Sequence, residues 1–171
     1  MNKLILFLAA TIMSISSIYD FSFNDINGNM VSLSQFKGKK ILFVNTASGS
    51  EYASQIGALE QLYQKYKDSL VIIAVPSNTF QDEPKTNDEL KSYFENTWHT
   101  DFIVTQKTQV AGAGQSAVYN WLSHQSENDM MENNINGDFY KFLVDAEGKL
   151  VGAFAPSVDP MSDEMQNAIT N

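Results

Sequence analysis

Cysteine and arginine are both missing from this chain of 171 residues. Without cysteine there is no disulfide, no metal–thiolate site and no thiolate nucleophile. The seven methionines do not substitute, because a thioether is a weak, unactivated group. Without arginine the planar fork that grips carboxylates and phosphates bidentately is gone, and all eleven cations are lysines. Set against twenty acidic residues, they leave a formal net charge of -9, which argues against nucleic acid as a partner, since phosphate contacts need a basic surface. Histidine is also scarce, with two residues, so a general base of that kind can stand at few places. The longest apolar run, Leu4 to Met13, is too short to span a bilayer.

What remains is the composition of a globular protein: 43% hydrophobic and 12% aromatic residues, in a length that suits one domain with a sizeable core. The first residues stand apart. Lys3, the apolar run and the small residues Ser14 and Ser16 have the layout of a cleaved secretory signal over residues 1–16. The expectation is an exported protein, periplasmic or secreted, with its domain at 17–171. No cysteine follows the apolar run, so no lipid attachment and no stable membrane anchor is expected.

Along the domain, Asn27-Gly28 flanked by Ile26 and Met30 signals a β-hairpin. Ile41 to Val44 and Leu70 to Val75 are continuous apolar runs of the kind buried on both faces of a sheet. Between them Ile56, Leu59, Leu62, Tyr63 and Tyr66 form one stripe, which predicts a helix over Glu51 to Lys67 with Ser50 as its N-cap. A second helix is expected with Asn87 as its cap and with Leu90, Tyr93, Phe94 and Trp98 facing inward. Phe102 to Val104 reads as extended, and Ser116 to Leu122 as a short helix. The polar stretch Gln125 to Asp138 reads as a mobile surface loop. A hairpin around Glu147-Gly148-Lys149 joins Lys141–Asp145 to Leu150–Ala155. A last helix is expected to open at Asp159-Pro160, with Met161, Met165 and Ile169 facing inward. Alternating strands and helices followed by a hairpin give an α/β fold, a central mixed sheet with helices on both faces.

Within this order, Val44-Asn45-Thr46-Ala47-Ser48 followed by Leu59-Glu60-Gln61-Leu62-Tyr63-Gln64-Lys65-Tyr66 resembles the glutathione peroxidase family. So do Pro76-Ser77-Asn78-Thr79-Phe80, Glu83-Pro84, Asn87-Asp88-Glu89, Lys141-Phe142-Leu143-Val144-Asp145 and Phe154-Ala155-Pro156 with Pro160. The resemblance covers nearly the whole domain and implies a thioredoxin-like fold of glutathione peroxidase type. It also implies an activity, thiol-dependent reduction of hydroperoxides with a thiol reductant as partner. That activity uses a cysteine or selenocysteine at the start of the first helix, surrounded by a glutamine, a tryptophan and an asparagine. These four positions fall on Ser50, Thr79, Gly137 and Asp138, and a cysteine that many members add as a resolving group falls on Ser77. None of the five carries the family's residue.

Losses at five positions, rather than at the cysteines alone, read as divergence without demand for peroxidase chemistry. Glu51 beside Ser50, with Asp138 opposite, would raise the pKa of any thiol placed there. Ser50 as a nucleophile would need a base, and the resemblance sets neither His99 nor His124 beside it; its expected role is to cap the helix. Gly112-Ala113-Gly114 reads as a turn. The scatter of Asp129, Glu132 and Asp138 lacks the spacing of a calcium loop and reads as solvated. No cofactor and no metal site is expected. Met130-Met131 is either an exposed contact or part of the core. Two functions follow: a non-catalytic scaffold binding an unidentified protein or small molecule, or a residual, partner-assisted peroxidase-type oxidoreductase.

Overall fold

Asp25 makes the turn of the first hairpin: its Oδ1 accepts the amides of Asn27 and Asn29 at 2.9 and 2.8 Å. Gly28, at φ 84°, supplies the left-handed residue between them. The turn joins β1 (Ser22–Asn24) to β2 (Met30–Ser32) as the expected antiparallel hairpin. The structure is a computed structural model that describes residues 16–171, so the expected signal segment lies outside the described residues apart from Ser16.

The two apolar runs form β3 (Lys40–Thr46) and β4 (Leu70–Pro76), paired in parallel through α1 (Gln55–Tyr66). After β4 come α2 (Asn87–Ser92), a π-type turn at Tyr93–Thr97, β5 (Ile103–Val104), α3 (Ala117–Ser123) and α4 (Gln125–Asn128). The chain closes with the hairpin of β6 (Lys141–Val144) and β7 (Leu150–Phe154), followed by α5 (Asp163–Thr170). The main sheet runs β5-β4-β3-β6-β7, parallel on one side of β3 and antiparallel on the other, in a thioredoxin-like arrangement.

Side chains alternate along β3. Leu42 and Val44 join Ile56, Leu59, Leu62, Leu90, Met165 and Ile169 on the face covered by α1, α2 and α5. Ile41 and Phe43 join Val118, Trp121 and Leu122 of α3 on the other. Among the described residues no helix is long and apolar enough to cross a membrane.

The structure moves some boundaries. The first helix begins at Gln55 rather than Glu51, and Ser54 stands at its N-cap in place of Ser50. The intervening residues are wound more tightly, with Ala53 N donating to Ser50 O and Gln55 N to Tyr52 O, both i to i−3. The second helix is capped by Thr86, whose hydroxyl accepts Glu89 N while Glu89 accepts Thr86 N, so Asn87 is its first residue and not its cap. The last helix starts after Ser162, whose hydroxyl accepts Met165 N, instead of at Asp159-Pro160. The stretch Gln125–Asp138, expected as a mobile loop, is tied to the core. Buried Asn128 donates to Trp121 O and Met131 O and accepts Met130 N and Met131 N, and Ile135 is buried. The two methionines divide: Met131 packs against the core and Met130 is exposed.

Candidate functional site

The end of β3 positions the site. Beyond Thr46 the chain turns at Ala47–Ser54, and this turn is gripped from the side by the segment after β4. Buried Glu83 accepts Ser48 N and Ser48 Oγ, each at 2.7 Å, together with Lys85 N at 3.1 Å. Lys85 Nζ donates to Ser48 Oγ at 3.0 Å. Next to this clamp Gly49 N donates to Asp82 O, and the approach is so close that a Cβ on Gly49 would stand 2.7 Å from that oxygen. Only glycine fits there.

A second segment closes over the turn. Asn45, fully buried in β3, donates from Nδ2 to Gly137 O at 2.9 Å, and its backbone carbonyl accepts Phe139 N. Phe139 has φ 64°, a left-handed backbone that an aromatic residue rarely adopts, and its ring is wholly buried. Gln81, just before Asp82, is left-handed as well, at φ 72°. Backbone strain of this kind persists only where the surroundings impose it, and here it flanks two carboxylates.

The result is a pocket of about 410 Å³ lined by Ser50, Glu51, Asp82, Gly137, Asp138 and Pro156, among others. Ser50 is half-buried, and its Oγ accepts Tyr52 N at 3.3 Å. Asp138 is 5% exposed, and its Oδ1 has no hydrogen-bond partner. Burial, then the charge of Asp82 and a hydrogen bond between the two carboxyls, and last the charge of Glu83, push its carboxyl up to about 7. Behind the pocket lies Lys141, fully buried, whose Nζ donates to Phe139 O at 2.9 Å and Pro156 O at 3.2 Å. Burial pushes this ammonium down to about 8, against a smaller upward pull from Asp159.

Of the positions singled out by sequence, Ser50, Gly137 and Asp138 share this pocket with Glu51, while Thr79 does not line it. Thr79 Oγ1 lies 2.7 Å from Ser77 Oγ and accepts Val110 N, and Ser77 itself is fully buried. His124 lines a different cleft, with Glu132 and Asn133. Among the described residues no group of three His, Asp or Glu side chains is placed to hold a metal ion. Sequence reasoning missed Asp82, Asn45, Gln55 and Lys141. Asp82 carried a signal, an acid next to the Glu83-Pro84 pair, and Asn45 and Lys141 stand in stretches that resemble the family, while Gln55 is placed by a long-range contact to Pro156.

A model of the family described as glutathione peroxidase matches residues 18–123. The chain is 34% identical over 155 residues to a protein named glutathione peroxidase from Lactococcus lactis subsp. cremoris, covering 90% of this chain and 97% of that one. The chain belongs to the glutathione peroxidase family. It is also 33% identical over 159 residues to the glutathione peroxidase-like peroxiredoxin 2 of Saccharomyces cerevisiae, covering 91% of this chain and 98% of the relative. A solved structure described as Trgpx in apo form superposes with a TM-score of 0.69 at 29% identity, covering 92% of this chain and 98% of that one. Of the residues lining the pocket, Ser50, Glu51 and Asp82 lie inside the segment that the family model matches, and Gly137 and Asp138 lie beyond it.

Proposed function

We propose that this glutathione peroxidase family protein is exported and does not reduce peroxides, its ancestral site serving as a binding pocket. The observation that carries the reading is the serine at position 50 in a wall of carboxylates. Peroxide reduction by this family's route starts from a thiolate, and the chain has no cysteine to supply one. Nor does the pocket suit a thiolate. Glu51 and Asp82 are acidic and face the same space, and these surroundings already push the Asp138 carboxyl up to about 7, so a further negative charge is unfavourable there. Ser50 stands five positions before Gln55, the first residue of α1, so it does not sit at the positive end of that helix.

The names of the relatives make peroxide reduction the activity to test first. Purified protein is given hydrogen peroxide or a lipid hydroperoxide with glutathione or thioredoxin, and peroxide loss is followed against a heat-denatured control. The reading expects no difference between the two. Turnover above the control would overturn it and favour the residual or partner-assisted peroxidase-type oxidoreductase instead.

A further inference from the structure

Three buried side-chain oxygens in or behind the wall of the Ser50 pocket have no hydrogen-bond partner. Asp138 Oδ1 is without a partner on a side chain that is 5% exposed. Two further acceptors stand one layer behind the wall. Asn45 donates through Nδ2 to Gly137 O and Gln55 through Nε2 to Pro156 O, both on residues lining the pocket, while Asn45 Oδ1 and Gln55 Oε1 are buried without partners. A buried acceptor left unpaired costs about 1–3 kcal/mol, and of these three residues only Asp138 lines the pocket, where its carboxyl is the group a ligand's donor would meet. The lining adds the carboxylates of Glu51 and Asp82 and contains no lysine. Anions are repelled, and a metal ion finds no set of three ligating side chains among the described residues. The matching chemistry is a positive charge that carries several N–H donors on one small head.

We infer that the pocket binds the ammonium group of a small primary amine, with Asp138 and Asp82 as its counter-ions. The inference rests on the reading of this site as a binding pocket. An ammonium presents three donors from one atom, enough to reach both carboxylates and one further acceptor such as Ser50 Oγ. The volume of about 410 Å³ admits a short alkyl chain behind that head, within the usual range of small-molecule pockets.

Binding is coupled to a proton. Asp138 faces Asp82 and Glu83, and the lining adds Glu51, Tyr52 and Tyr140. The Nζ of Lys141 is already taken by the carbonyls of Phe139 and Pro156. A carboxyl titrating near 7 must ionise to receive an ammonium, so at lower pH the ligand displaces a proton. Affinity therefore rises by about tenfold between about pH 6 and pH 8.

The test is calorimetric titration of the purified protein with propylamine, 1,4-diaminobutane and tetramethylammonium at both pH values. Propylamine and the diamine are expected to saturate, more tightly at the higher pH, and to release close to one proton at the lower. Tetramethylammonium, which has charge but no N–H donor, is expected to bind at least about tenfold more weakly. Asp138→Asn should weaken propylamine binding at least about tenfold and remove its pH dependence. If that variant does not fold, Asp82→Asn takes its place. The carboxyl carbon resonance of wild-type Asp138 provides a second readout, since saturating propylamine should lower its titration midpoint. No saturable binding of propylamine at millimolar concentration, equal binding of tetramethylammonium, or an unmoved Asp138 midpoint overturns the inference. Peroxide turnover by the wild type would overturn the proposed function whatever the amines do. Failed amine binding in a protein that also leaves peroxide untouched overturns this inference alone.

Discussion

Glu83 holds Ser48 by two atoms at once, accepting both its amide and its hydroxyl at 2.7 Å. A buried carboxylate with three N–H or O–H donors from Ser48 and Lys85 is stabilised only while they all point at it. Glu83→Ala is expected to cost about 1–3 kcal/mol, because the half-buried amides of Ser48 and Lys85 lose their acceptor. Glu83→Gln keeps one acceptor oxygen and should cost less. Urea denaturation curves of the two variants check the order, and an alanine variant as stable as wild type would contradict it.

Gly49 tests the neighbouring contact. A Cβ 2.7 Å from Asp82 O forces one segment to move, so Gly49→Ala should lower stability by about 1–3 kcal/mol and loosen the Asp82 wall. The denaturation midpoint reports the first effect. Faster amide exchange at Gln81 and Glu83 reports the second.

Placing a thiol at position 50 should not restore the family chemistry. In Ser50→Cys the sulfur would face Glu51 and Asp82 without a helix end beside it, so its pKa is expected above the ordinary value of about 8.5. The pH dependence of its alkylation by iodoacetamide measures this. Fast peroxide consumption by the single variant, or a thiol titrating below about 7, would contradict the account of the pocket.

Asp138 sets a pH dependence of stability whose sign follows from its raised carboxyl. Its folded pKa of about 7 lies above the unfolded value of about 3.9, so between these limits the folded protein binds the extra proton. Stability from this group is full below about pH 4 and is lost as pH rises to about 7. Asp138→Asn should therefore flatten the stability profile over that interval and gain most over wild type near pH 8. Thermal melts across the interval measure it; parallel profiles for the two proteins would refute the assignment.

Lys141 works in the opposite range. Its folded pKa of about 8 lies below the unfolded value of about 10.4, so stability should climb as pH rises between the two, with the folded protein already neutral. Lys141→Met should abolish this climb while leaving Phe139 O without its donor, Pro156 O keeping Gln55 Nε2, at a cost of about 1–3 kcal/mol near pH 7. Chemical denaturation at about pH 7 and pH 10 separates the two effects.

The sequence made the sheet legible because its evidence is local. Uninterrupted apolar runs mark β3 and β4, and turn residues mark both hairpins, with Asn27-Gly28 in one and Glu147-Gly148 in the other. Helix starts were less legible, since each depends on contacts with distant residues. Ser50 has the chemistry of an N-cap, yet Glu83 and Asp82 hold Ser48 and Gly49 in a turn that delays the helix to Gln55. Asp159 has that chemistry too, but it caps Met161 N in a turn of its own and leaves the helix to Ser162. The site was legible as a set of substituted positions. Sequence alone did not place Thr79, whose hydroxyl joins Ser77 and Val110 N, or reveal the orphan acceptors of Asn45 and Gln55.

The alternation of side chains along β3 has a consequence for how the molecule comes apart. One short strand supplies both apolar clusters, so neither half of the core is complete without it, and losing either face strips the same backbone. There is no smaller cooperative unit to retreat to. The domain should unfold in a single transition, and the amides of Leu42, Phe43 and Val44 should be among the last to exchange with solvent.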